Sequence, residues 1–274
     1  MSSLTSEQLS QYHNDGYVAP IDIFSTEEVK VVRDEIEHIE QNWPNELVGV
    51  GRNNVHLISP IFDEIVHNSK ILDAVEDLIG KNILAAGTTL FIKDPEKKTF
   101  VSWHQDAKYQ GFHPHNFVTA WVAITDSNQD NGCMLMWPGS HSEIKDHQDT
   151  FDENNILTRG QTVPNVPINE TVPIELKAGQ ISLHHPLIVH GSAENKTNDR
   201  RIGFVIQSYI GADVNQVMGE VYVQQARGKD PFKYHPHVSR SNETMNKNDL
   251  ELRNKANEEL QEILYKGSKE IRNL

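Results

Sequence analysis

From about Ile83 onward the chain breaks into short apolar segments separated by Gly, Pro, Asn and Asp, and no other feature limits its fold as much. Residues 84–93, 117–125, 134–137, 172–176, 181–185 and 202–210 read as strands by their length and their flanking turn residues. Asn131-Gly132 is a tight-turn signal and Pro138-Gly139 a second. Residues 154–169 read as an irregular insertion. The N-terminal part has a different texture. Thr5-Ser6-Glu7-Gln8 and Ser25-Thr26-Glu27-Glu28 are capping boxes. The first predicts a helix to about Asn14, ended by Asp15-Gly16, with a strand at 17–19. The second opens a helix carrying Val29, Val32, Ile36 and Ile39 that stops before Pro44. A third helix fits 69–79, with Gly80 at its C-terminal cap. The tail, 249–271, is helical in pattern. Helices, then strands, then a helix make an α+β chain around a β-sandwich or barrel.

Composition narrows the class. With 37% hydrophobic and 23% charged residues this is an ordinary globular composition. No run of about 18 apolar residues exists to span a membrane. The first residues lack the basic-then-apolar pattern of a secretory signal, and Cys133 is the only cysteine, so a cytoplasmic protein is expected. A formal net charge of −14 and the absence of a basic tract argue against nucleic acid as a partner and leave a small molecule as the expected one.

The chemistry concentrates in Trp103-His104-Gln105-Asp106, His190-Gly191-Ser192 and Arg201. Two imidazoles and one carboxylate can occupy one face of an octahedral Fe(II) and leave the other face open. In an extended segment residues i and i+2 point the same way, so one strand end can offer both His104 and Asp106. Alone, such a pair is common on protein surfaces; a distant His190 at a strand end strengthens it. His184 and His185 compete with His190 for the third position, and strand alternation turns only one of them inward. Arg200 and Arg201 likewise face opposite ways, and one of them can grip a carboxylate with two parallel hydrogen bonds. Lys93 either faces the site or extends from a strand end toward solvent. His141 reads as a turn residue, and His113, His115, His147, His235 and His237 as surface or loop residues.

These motifs, with Val118-Thr119-Ala120-Trp121, Asn131-Gly132-Cys133-Met134 and Pro138-Gly139-Ser140-His141, resemble the phytanoyl-CoA dioxygenase family in content and order. The resemblance covers about 84–210. It implies a double-stranded β-helix (jelly-roll, cupin-like) core at about 83–210, with N-terminal helices and a C-terminal helix, in a single domain spanning 1–274. It implies Fe(II) on His104, Asp106 and His190, 2-oxoglutarate on Arg201 and Ser192 beside Trp121, and O2 as second co-substrate. A carboxylate at Asp106, where related halogenases carry a small residue, favours hydroxylation over halogenation. Lys108 and Tyr109, directly after Asp106, are the expected substrate contacts. The texture is similar to a bacterial branch that includes 2-aminoethylphosphonate dioxygenases, so that compound is the leading expected substrate. Another small molecule, such as an amino acid or natural product, is the alternative. A non-catalytic metal- or ligand-binding barrel and a zinc hydrolase on the same ligands remain as other classes.

Overall fold

A computed structural model describes residues 3–95 and 97–272. The helices are α1 (Ser6–Asp15), α2 (Thr26–Asn42), α3 (Pro60–Val66), α4 (Ser69–Ile79), α5 (Ala107–Gln110) and α6 (Lys247–Tyr265). The strands that matter are β1 (Tyr17–Asp22), β2 (Ile83–Ala85), β3 (Thr88–Lys93), β4 (Val101–His104), β5 (Phe117–Ala123) and β6 (Met134–Trp137). They continue as β7 (Val172–Ile174), β8 (Gln180–His184), β9 (Val189–Ser192), β10 (Arg201–Gly211) and β11 (Gln224–Arg227). Both expected capping boxes form, with Gln8 and Glu28 bonding back to the Thr5 and Ser25 N–H groups. The segment expected as one strand over 84–93 is two, β2 and β3, because Gly87 adopts φ +132° between them. α3 lacks the length for a periodic signal, and its start at Pro60 behind Ser59 was not read from sequence.

Two antiparallel sheets face each other. The larger runs β1-β8-β5-β10-β2-β11, with β3 also paired to β10; the smaller runs β7-β6-β9-β4. This is the expected jelly-roll. The outer face of the larger sheet carries Val118, Ala120, Val122, Leu183, Phe204 and Ile206, which pack under Val32, Ile36, Ile39, Phe62 and Val75 of the helices. Each such fully buried aliphatic or aromatic side chain contributes on the order of 1.5–3 kcal/mol. The alternate residues of the same strands, among them Thr119, Trp121, His184, Arg201 and Val205, turn to the interior between the sheets. Period-two alternation thus gives each strand one apolar face against the helices and one chemically active face inside.

Candidate active site

β4 and β9 run antiparallel with His104 directly opposite His190. Their ring centroids are 4.2 Å apart. Each ring sits with Nδ1 on a backbone carbonyl, His104 on Ser102 at 2.9 Å and His190 on Ile188 at 3.1 Å. A neutral imidazole must donate to a carbonyl, so both Nε2 lone pairs are left facing inward. Burial, with His104 adding to it, pushes His190 down to about 3, so it is neutral at physiological pH.

Asp106 joins them by a route the sequence did not indicate. β4 ends at His104, and Asp106 is helical (φ −56°, ψ −45°) at the start of α5. The turn of the chain, not strand alternation, brings its carboxylate to the histidines. Oδ1 lies 3.4 Å from His104 Nε2 and 3.9 Å from His190 Nε2. Oδ2 is held on the far side, 2.8 Å from the Thr119 hydroxyl and 3.4 Å from His184 Nε2. Burial works to raise this carboxyl, but His190, His104 and His184 outweigh it and hold it well below the ordinary carboxylate range. The ligand atoms of His104, Asp106 and His190 all lie within 4.8 Å of one another. Two imidazoles and one ionised carboxylate on one side of an open cavity suit a ferrous ion with free coordination positions.

Of the two competing histidines, His184 is the inward one, 1% exposed, and stands behind Asp106 rather than in the ligand cluster. His185 points to Tyr12 and His141. Gln105 was passed over in the sequence, yet it is fully buried and locks the segment. Its amide nitrogen donates to the Leu187 and Glu143 carbonyls, and its oxygen accepts from the Lys145 N–H. Its backbone N–H donates to His147 Nε2 at 3.1 Å, so His147 lies in a loop, as expected, and is a half-buried support. His235 is also buried, against the Val214 carbonyl. Only burial marks these residues, and no spacing announces it.

Deeper between the sheets lies an anion cradle. Arg201 is 1% exposed, its guanidinium 5.2 Å over the Trp121 ring, and its Nε is buried without a hydrogen-bond partner. Arg200 turns out to Glu40 and Asp94, as alternation requires. Lys93 resolves inward: it is fully buried, with Nζ 2.6 Å from Ser192 Oγ and bonded to the Ala193 carbonyl. Burial, with Arg201 adding to it, pushes Lys93 down to about 6. A buried guanidinium and a hydroxyl beside a buried amine, with no carboxylate among them, fit a bound anion.

The metal donors, Arg201, Ser192 and Trp121 open into one cavity of about 320 Å³, and Lys93 is bonded to Ser192 without lining it. Tyr109 and Gln110 line it; Lys108 does not and is exposed. On a helical turn residues i, i+3 and i+4 share a face, so Tyr109 and Gln110 follow Asp106 inward while Lys108 is rotated out. Of the two expected substrate contacts, Tyr109 lines this cavity and Lys108 does not. α6 lies along the cavity's edge, contributing Leu260, Gln261 and Leu264.

Comparison with known proteins agrees with this geometry. The sequence model described as phytanoyl-CoA dioxygenase (PhyH) matches residues 12–203. A probable alpha-ketoglutarate-dependent hypophosphite dioxygenase of Stutzerimonas stutzeri is 27% identical over 78% of this chain and 81% of its own length. The peroxisomal phytanoyl-CoA dioxygenase of Homo sapiens is 33% identical over 48% of this chain and 41% of its own. Among solved structures, the apo form of the non-heme monooxygenase ThoJ superposes with a TM-score of 0.82 at 28% identity, covering 93% of this chain and 96% of ThoJ. CytC3 with Fe(II) and alpha-ketoglutarate shares the fold at a TM-score of 0.65 and 21% identity, over 86% and 93% of the two chains. No helix among the described residues is long and apolar enough to cross a membrane.

Proposed function

The chain belongs to the phytanoyl-CoA dioxygenase family of Fe(II)- and 2-oxoglutarate-dependent oxygenases, and on that premise we propose that it hydroxylates a C–H bond of a small polar substrate. The leading candidate is 2-aminoethylphosphonate, converted to 2-amino-1-hydroxyethylphosphonate with release of succinate and CO2. His104 Nε2, His190 Nε2 and Asp106 Oδ1 hold the iron; the inward turn of all three donors carries this assignment. Arg201 and Ser192 hold the distal carboxylate of 2-oxoglutarate against Trp121, with Lys93 bonded to Ser192. Bound ferrous iron, with 2-oxoglutarate and O2 as co-substrates, supplies the oxidation of an unactivated C–H bond.

The protein's part is position and dryness. Thr119 and His184 occupy Oδ2 of Asp106, leaving Oδ1 to the metal. The Ser102 and Ile188 carbonyls fix the imidazole tautomers. Trp121 and Val205 give the cavity an apolar wall.

A small substrate is supported by space and charge. A cavity of about 320 Å³ must take both 2-oxoglutarate and substrate, whereas ligand pockets commonly run to about 300–1,000 Å³ for one drug-sized molecule. Beyond the iron and cradle residues its lining carries Arg52, Gln110, Asn155 and Gln261, with Glu153 exposed at the rim. Cations at Arg52 and Arg272 and an acid at Glu153 in one amide-rich pocket suit a zwitterion bearing an anionic phosphonate and an amine. The second reading is a smaller phosphorus oxyanion, favoured by the relative named for hypophosphite.

Anaerobic titration with Fe(II) and then 2-oxoglutarate, followed by visible absorption, tests the site; a weak charge-transfer band is expected. Its absence with iron bound would overturn the co-substrate assignment. His104→Ala, Asp106→Ala and His190→Ala should each abolish the band with the fold retained. Substrate-dependent succinate from a panel of aminophosphonates, hypophosphite and amino acids tests the substrate; no turnover of any aminophosphonate would remove the leading candidate.

A further inference from the structure

Arg159 belongs neither to the metal site nor to the anion cradle, yet it is a buried cation, 6% exposed, in the segment 148–162, which overlaps the expected 154–169 insertion. The segment closes on itself through antiparallel pairing of Gln148–Asp149 with Gln161–Thr162. From it the Arg159 guanidinium reaches three ways. Nε bonds the Leu264 carbonyl and Nη2 the Lys266 carbonyl at 2.7 Å, both at the C-terminal end of α6. Nη1 lies 3.4 Å from Asp149 Oδ2. The flat face lies 5.0 Å from the centre of the Tyr109 ring. Tyr109 closes the loop by donating its hydroxyl to Asp149 Oδ1 at 3.1 Å. Burial raises the Tyr109 phenol above its ordinary range, with Asp149 adding to it, so it stays protonated and remains a donor.

Each of these contacts has a physical reason. The last carbonyls of a helix lack partners within it, and a cation there meets the negative end of the helix dipole. A guanidinium over an aromatic face is attracted by the ring's quadrupole, more strongly when water is excluded. The planar fork of an arginine can satisfy carbonyls, a carboxylate and a ring at once, which a lysine cannot.

The two elements so joined are walls of one cavity. Tyr109 follows Asp106 on the same face of the α5 turn, and α6 lines the cavity with Leu260, Gln261 and Leu264. We infer that Arg159 is a positioning residue that seats Tyr109 and the end of α6 against each other, and so sets the shape of the substrate side of the cavity while leaving the metal donors and anion cradle alone. The inference rests on the site assignment proposed above.

The test compares full-length Arg159→Ala and Arg159→Lys with the wild type by hydrogen–deuterium exchange, by the charge-transfer titration and by turnover. Exchange in both 107–111 and 260–266 should accelerate at least about tenfold in Arg159→Ala, with 88–93 and 201–206 unchanged. The charge-transfer band should persist at wild-type Fe(II) and 2-oxoglutarate concentrations. For whichever substrate the wild type turns over, KM should rise about tenfold and kcat change less. Tyr265→Phe, which removes the ties from Tyr265 to Thr158 and Arg272, should loosen 260–266 without touching 107–111. If Arg159→Ala loosens 260–266 alone, Arg159 only staples a helix end and the inference is overturned; loss of the band overturns it too. Should Arg159→Ala fail to fold, Arg159→Lys decides by the same readouts. If no compound in the panel is turned over, that failure falls on the substrate reading, and exchange and absorption still decide the role of Arg159.

Discussion

Lys93 stands directly opposite Arg201 in the β3–β10 ladder, and the two basic side chains are buried together at 0% and 1% exposure. Burial and the Arg201 charge both disfavour a proton on Lys93, and neither side chain is ion-paired to a carboxylate among the described residues. Protonation of Lys93 in the folded chain is therefore disfavoured unless an anion lies close to it.

The first prediction follows from the protonation of this pair. Lys93 is pushed down to about 6 by burial and by Arg201, so in the unliganded protein it is largely neutral above that pH. A carboxylate placed beside it favours the charged form, so 2-oxoglutarate binding takes up a proton. Affinity should then fall as pH rises above about 6, and Lys93→Met should flatten that dependence while raising Kd about tenfold to a hundredfold. Between about 6 and the unfolded value near 10.5 the unfolded chain holds the proton that the folded chain lacks. Stability of the unliganded wild type should accordingly rise with pH relative to Lys93→Met. Calorimetric titrations in buffers of different ionisation enthalpy measure the proton uptake; a pH-independent Kd in the wild type would remove Lys93 from the site.

Thr119→Val tests the support behind the metal. The Thr119 hydroxyl has one proton and two acceptors in reach, Asp106 Oδ2 at 2.8 Å and the Gln207 carbonyl at 2.9 Å. Valine keeps the shape and removes the donor. Loss of such an outer partner commonly costs about 10–100-fold in metal affinity. Fe(II) or Co(II) titration of the variant should show that loss with the thermal midpoint little changed. Unchanged metal affinity would mean that His184 alone orients the carboxylate.

Much of this was legible because local rules and the final fold agree. Thr5 and Ser25 announce helices through side chains that bond their own first turns, and Ser69–Ile79 declares itself by spacing. Alternation separated Arg200 from Arg201 and allowed only one of His184 and His185 inside. What sequence could not carry was the path between elements. Asp106 reaches the metal site by a helical turn, and the same turn rotates Lys108 away. Gln105, His147 and Arg159 owe their roles to partners far along the chain, and none of them sits in a pattern with a period.

Gly203→Ala probes the floor of the anion cradle. A Cβ at Gly203 would meet the Trp121 ring at 2.2 Å, so the indole lies directly on this backbone. The ring cannot move away without losing Arg201, whose guanidinium it faces. Forcing a methyl into such a packed site costs typically about 1–3 kcal/mol. Part should appear as lowered thermal stability and part as weaker 2-oxoglutarate binding, with Fe(II) affinity retained because the metal donors lie on other residues. Full 2-oxoglutarate affinity in a folded Gly203→Ala would show that the position of Trp121 does not matter to the co-substrate.

Asp63, buried in the helical layer, governs acid stability away from the site. Its Oδ2 is bonded by Arg240 and lies 3.4 Å from His67 Nδ1, while Oδ1 has no hydrogen-bond partner. Burial works to raise this carboxyl, but His67 and Arg240 outweigh it and hold it below its ordinary 3.8. A carboxylate depressed in the folded state gives stability that is present above the unfolded value and lost as pH falls through the lower folded one. Asp63→Asn should thus be less stable than wild type at neutral pH, with the gap narrowing below about pH 4. Arg240→Ala leaves the carboxylate buried without its cation. Because the Arg240 side chain is itself 46% exposed and screened by solvent, the expected cost is about 1–3 kcal/mol, below that of a fully buried pair. Urea midpoints at neutral and acid pH measure both effects. A wild type and Asp63→Asn that lose stability in parallel on acidification would show that another carboxylate controls the transition.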